Sequence, residues 1–172
     1  MRKPNIILTG FMGTGKTVVG KALASALDMK YIDTDLIVEA EAKKSVSEIF
    51  ETEGEAAFRR YESNAIRCIT HIRGYVIATG GGAIMAEDNL ANMKRAGMIV
   101  CLTATPEVIW DRTKNNRNRP LLQTSDPMKR IHMLLKIREP QYQKADLVLD
   151  TSTLTVDEVV EQITKLWQAQ DS

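Results

Sequence analysis

Residues 5–17 constrain this chain more than any other stretch: a short aliphatic run, Asn5 to Thr9, leads directly into Gly10-Phe11-Met12-Gly13-Thr14-Gly15-Lys16-Thr17. The spacing G-x-x-x-x-G-K-T is that of a P-loop, whose glycines let consecutive backbone N–H groups point at phosphate oxygens. Such a loop needs a strand before it and a helix after it, because the helix N-terminus adds the positive end of its dipole. The pattern supplies both, since Lys16 to about Leu27 carries Val19, Ala22, Leu23, Ala26 and Leu27 on one stripe. Gly13, Thr14, Gly15, Lys16, Thr17 and Val18 are therefore candidates to hold a nucleotide's phosphates, with Lys16 on the β- and γ-phosphates and Thr17 ligating Mg²⁺. A glycine-rich turn that binds nothing is the competing reading, and the flanking strand and helix argue against it.

Further short β-branched runs alternate with helical periods, as in successive βα units around a mainly parallel sheet. Strands are expected at Lys30 to Asp33, Tyr75 to Thr79, Met98 to Thr103 and Asp146 to Asp150. Ser45 with Glu48 forms a capping box for a helical region that runs toward Thr70 with a break near Gly54. Thr105-Pro106 and Asp126-Pro127 each open a helix, and the last one begins at Thr155 with Glu158 three residues on. Between two of these helices, Lys114 to Ser125 is polar and basic, apolar only at Leu121-Leu122, and reads as a mobile loop.

A length of 172 residues suits one α/β domain, and 44% hydrophobic residues exclude a chain disordered for want of a core. Lys and Arg total 23 against 22 Asp and Glu, so no global field points to a nucleic acid. No apolar run approaches the length of a membrane span, and the N-terminal residues do not form a signal-peptide core, so a cytoplasmic protein is expected. Cys68 and Cys101 lack any metal-ligand spacing and are expected as two buried, reduced thiols.

A nucleotide loop does not name a reaction. The chain has no Asn/Thr-Lys-x-Asp segment to read guanine and no Asp-x-x-Gly, which disfavours GTPase switches and leaves small kinases with a second substrate. Asp33-Thr34-Asp35 falls at the carboxyl end of the second strand, where open α/β sheets bind ligands. Asp33 is the candidate to hold Mg²⁺, directly or through water, and Asp35 the candidate to face the acceptor. Asp35 as N-cap of a helix beginning at Leu36 is the alternative. Gly80-Gly81-Gly82 ends the third strand and lets backbone approach a ligand, or forms a plain turn. Arg59, Arg119 and Arg138 are candidate guanidinium contacts to a carboxylate or a phosphoryl group, whereas Arg60 and Arg117 read as surface charge.

Taken in order, Gly10-x-x-Gly13-x-Gly15-Lys16-Thr17, Asp33-Thr34-Asp35, Phe58-Arg59-x-x-Glu62, Gly80-Gly81-Gly82, Arg119-Pro120-Leu121-Leu122 and Arg138-x-x-x-Tyr142 resemble the shikimate kinases along essentially the whole chain. The resemblance implies a three-layer α/β P-loop NTPase fold: a five-stranded parallel sheet of order 2-3-1-4-5 covered by helices. It implies a single kinase domain with a substrate-binding helical region over 34–62 and a lid over 113–125. The implied reaction transfers the γ-phosphoryl of ATP to the 3-hydroxyl of shikimate, in the chorismate route to aromatic amino acids. The implied enzyme is a soluble, Mg²⁺-dependent monomer with no nucleic-acid or membrane partner. Asp35, Arg59, Gly81 and Arg138 would hold shikimate, the two arginines on its carboxylate, with Glu62 orienting Arg59 and Phe50 and Phe58 walling the ring. Lys16, Asp35 and Arg119 would carry catalysis, with Arg119 closing over the phosphates and Arg112 stacking on adenine. A kinase for another hydroxy acid, such as gluconate, and a nucleotide-dependent binding protein are the alternatives.

Overall fold

Every residue of β1 (Asn5–Thr9) is buried, and its side chains feed two separate layers. Ile6 and Leu8 cluster with Leu23, Val159, Ile163 and Trp167, whereas Ile7 clusters with Ile66, Ile69, Leu90 and Met93. A parallel strand covered on both faces accounts for a run with no polar alternation. The computed structural model describes residues 4–116 and 120–170. In it β1 lies at the centre of a parallel sheet with β2 (Lys30–Asp33), β3 (Tyr75–Ala78), β4 (Gly97–Thr103) and β5 (Leu147–Asp150). The order is β2-β3-β1-β4-β5, as the resemblance implies.

α1 (Lys16–Ala26) and α8 (Val156–Gln170) supply one layer, and α4 (Glu55–Ile69) with α5 (Glu87–Ala96) supplies the other. The Ser45 capping box opens α3 (Val46–Thr52), and Gly54 at φ 84° separates it from α4. Thr105 and Asp126 cap α6 (Pro106–Thr113) and α7 (Pro127–Tyr142), each with Pro inside the first turn. β3 stops one residue short of expectation, at Ala78; the Thr79 amide still completes the ladder to the Leu8 carbonyl at 2.9 Å, and its hydroxyl donates to the same carbonyl at 3.1 Å.

Three features depart from the sequence reading. α2 (Thr34–Ala42) starts before Leu36, and its N-cap is Asp33, whose carboxylate accepts from the Asp35 amide at 2.9 Å. Asp35 is therefore not a cap, and its side chain is left for other work. Cys68 is exposed, because Ile66 and Ile69 take the inward positions of α4 on either side of it; Cys101 is buried as expected. α5 has little sequence signature, since Ala86 provides no side-chain cap and few of its residues are buried and apolar.

Among the described residues no helix is long and apolar enough to cross a membrane. At the end of the sheet away from the P-loop, Asn5 is fully buried and ties β1 to the start of β3, the turn before it and the end of α5. Its amide donates to the carbonyls of Ile72 at 2.8 Å and Ala96 at 3.1 Å, and its Oδ1 accepts from the Tyr75 amide at 3.0 Å. Asn5→Ala leaves these buried groups unpaired and is expected to cost roughly 2–4 kcal/mol, read by denaturant unfolding. A loss below about 1 kcal/mol would contradict the bracing role.

Candidate active site

The P-loop connects β1 to α1 through Gly10, Gly13 and Gly15 at φ 127°, 78° and 97°, values that side chains strain to adopt. At Gly10 any side chain would also overlap the Leu102 carbonyl of β4. Lys16 folds its ammonium over the loop, donating to the carbonyls of Gly10 at 2.7 Å and Phe11 at 2.9 Å. Thr14 is buried and donates its hydroxyl to the Phe11 carbonyl, so its side chain shapes the loop from behind. Gly13, Gly15, Lys16, Thr17 and Val18 line the cleft in front.

Arg112 braces the loop from the side. Its guanidinium donates to the Gly13 carbonyl at 3.1 Å, to Thr151 Oγ1 at 3.2 Å and to the Thr151 carbonyl at 3.0 Å. Thr151, buried just after β5, donates in turn to the Thr14 carbonyl at 2.8 Å. Sequence reasoning missed Thr151, because nothing in a Thr-Ser-Thr turn signals a contact with residues 137 positions earlier.

The cleft, about 640 Å³, runs from the P-loop to a second group of charged side chains. Asp33, Asp35, Arg59, Glu62, Arg138 and the residues of Gly80 to Gly82 all line it, from β2, α2, α4, α7 and the end of β3. Phe50 and Phe58 form one wall, their ring centroids 4.8 Å apart. Glu39 and the stretch Ser45 to Ser47 also line the cleft, a contribution hidden in the sequence behind ordinary helix-capping chemistry.

Arg59 Nη1 donates to Glu62 Oε2 at 2.8 Å, and Nη2 to Glu55 at 3.2 Å. Burial works against the Arg59 charge, but Glu62 and Glu55 outweigh it and hold its pKa above the ordinary value. The Glu62 side chain is 1% exposed; burial raises its pKa, with Arg59 and then Arg138 opposing. Asp35 is pushed up to about 6, first by burial and then by the charges of Asp33 and Glu62, with Lys16 pulling the other way. Asp35 Oδ1 and Glu62 Oε1 are buried without a hydrogen-bond partner among the described residues. Arg138 is 5% exposed, its guanidinium carbon 5.4 Å from the centre of the Phe11 ring.

The three glycines let these groups converge. A side chain at Gly80 would collide with Glu62 Oε1, and a Cβ on Gly82 would sit 2.8 Å from the Arg59 guanidinium carbon. A Cβ on Gly81 would fall 2.7 Å from the Gly10 carbonyl and 3.2 Å from Arg138 Nη1. The segment is a turn, packed against charged side chains and, at Gly81, against backbone. Arg60 is exposed and lies outside the cleft, as surface charge should; Arg117 and Arg119 fall outside the described residues.

A phosphate loop opening onto an acceptor pocket at the carboxyl edge of a 2-3-1-4-5 sheet defines a P-loop kinase. A shikimate kinase family model matches residues 12–168. A shikimate kinase of Caldanaerobacter subterraneus is 46% identical over 163 residues, 95% of either chain. The structure of Acinetobacter baumannii shikimate kinase in complex with shikimate superposes with a TM-score of 0.93 at 37% identity, covering 98% of this chain and 94% of that one. A gluconokinase from Sinorhizobium meliloti, 17% identical with a TM-score of 0.67, shares the fold. The chain belongs to the shikimate kinase family.

The raised pKa of Asp35 is also a statement about stability. The folded protein holds this proton more tightly than the unfolded chain, so the contribution is full below about pH 3.8 and is lost as pH rises through about 6. Asp35→Asn is therefore expected to raise the Tm of the unliganded protein near pH 8, with the gain vanishing toward pH 4. An equal or lower Tm at pH 8 would contradict the buried, repelled carboxylate.

Proposed function

We propose that this cleft transfers the γ-phosphoryl of ATP to the 3-hydroxyl of shikimate, giving shikimate 3-phosphate and ADP, with Lys16, Asp35 and Arg119 as catalytic residues. The observation that carries this reading is the pairing, in one cleft, of P-loop groups with two guanidiniums and two unsatisfied carboxylate oxygens beside an aromatic wall. That set suits a hydroxylated ring acid. Arg59 and Arg138 take the carboxylate, the Gly81 backbone and Asp35 take hydroxyls, and Phe50 and Phe58 bound the ring. Asp35, near pKa 6 in the unliganded protein, is suited to accept the proton as the hydroxyl attacks.

On the donor side the amides of Gly13 to Val18 receive the phosphates, and Lys16 exchanges its carbonyl contacts for phosphate oxygens. Arg112 keeps the loop in shape and offers its guanidinium plane to adenine. Arg119, from the proposed lid over 113–125, meets the γ-phosphoryl on closure. The helical region over 34–62 forms the acceptor side of one kinase domain. Thr17 and Asp33 line the same cleft with hard oxygen donors, a set that fits Mg²⁺. Among the described residues no three or more His, Cys, Asp or Glu are arranged to hold a metal ion by themselves, so such an ion would take its other ligands from ATP and water. When bound it would offset the charge of the phosphates. We further propose a cytoplasmic monomer.

ADP release is expected to depend on both shikimate and Mg²⁺, and kcat/KM for shikimate to fall as pH drops below about 6, where Asp35 takes its proton. Faster turnover with gluconate, or a pH profile flat down to pH 5, would count against the substrate or the base.

Arg138→Lys keeps charge but loses two-pronged geometry, and is expected to lower kcat/KM for shikimate by about 2 kcal/mol. An analogue lacking the carboxylate should be a poor substrate for both proteins and lose little more from the substitution. Equal losses on the two substrates would place the carboxylate elsewhere.

A further inference from the structure

Three consecutive glycines carry no side chains with which to hold themselves in place, yet they set the floor of the acceptor pocket. Two of their carbonyls are secured within the turn: Gly80 accepts from the Ala83 amide and Gly82 from the Met85 amide, both at 3.1 Å. The carbonyl between them is held from outside. Tyr142, at the end of α7 and 3% exposed, donates its hydroxyl to the Gly81 carbonyl at 2.7 Å. Because the peptide is planar and trans, fixing that carbonyl also fixes the direction of the Gly82 N–H and the placement of its Cα.

Both guanidiniums of the pocket pack against this turn. Arg138 lies one turn before Tyr142 on the same face of α7, and its Nη1 is beside Gly81, 3.2 Å from where a Cβ would be. The Arg59 guanidinium presses on Gly82, in the space a side chain there would fill. One arginine is thus positioned from α7 and the other from α4, and the Tyr142 to Gly81 bond ties α7 to the loop on which Arg59 rests. Burial pushes the Tyr142 hydroxyl up to about 12, against the pull of Arg138, so it remains a proton donor throughout the working range.

We infer that Tyr142 is a positioning residue for carboxylate recognition: through the Gly81 carbonyl it sets the spacing between Arg59 and Arg138. It need not touch the substrate. The inference rests on the reading of those two arginines as the carboxylate contacts.

Tyr142→Phe removes the hydroxyl and keeps the ring in its place against the sheet. KM for shikimate is expected to rise on the order of 5- to 10-fold, as for the loss of one buried hydrogen bond. KM for ATP and kcat should stay within about twofold, and the carboxylate-lacking analogue should be handled as by the wild type. A merely structural role would instead lower Tm and disturb ATP and shikimate together. The inference is overturned by an unchanged KM for shikimate, by parallel rises for both substrates, or by an equal loss on the analogue. Arg138→Lys, measured alongside, separates two failures. If it too fails to discriminate acid from analogue, the carboxylate reading falls; if it discriminates and Tyr142→Phe does not, the spacing role alone falls.

Discussion

Three backbone segments meet at the carboxyl edge of the sheet with no room for a side chain between them, and the rest of the site depends on that contact. Gly10 abuts the Leu102 carbonyl of β4, and Gly81 abuts the Gly10 carbonyl from the end of β3. Parallel pairing of β1 with both neighbours brings these ends level, through Leu8 with Ala78 and Thr9 with Cys101. The P-loop is thereby locked against the glycine loop, which means that the donor and acceptor halves of the cleft share one backbone junction. A methyl group at either glycine would push the halves apart, a displacement on the scale at which phosphoryl transfer loses its alignment.

Around that junction the protein keeps several charged side chains partly out of water. Glu62 is nearly inaccessible and is tolerated because Arg59 bonds it at 2.8 Å. Asp35 has no such bond among the described residues, and burial first, then the charges of Asp33 and Glu62, pushes it up to about 6. The same burial weakens the unliganded fold above about pH 6. Residues outside the cleft lining brace the frame around it. Asn5 braces the opposite end of the sheet with three hydrogen bonds, and Thr151 with Arg112 holds the P-loop from outside.

The sequence by itself determined the architecture to within a residue or two at most strand ends. The reason is local: aliphatic runs fit only a doubly covered sheet, and Ser45, Thr105, Asp126 and Thr155 cap helices through contacts within three residues. The P-loop was legible for the same reason, as a backbone shape written in adjacent glycines. Long-range contacts decided what the sequence left open. Which face of α4 carries Cys68 and why Gly81 leaves no room for a Cβ depend on groups brought in from other strands and helices. Tyr142 reaching Gly81 across 61 residues and Thr151 reaching Thr14 across 137 leave no trace in local pattern, because a hydrogen bond between distant segments imposes no periodicity on either.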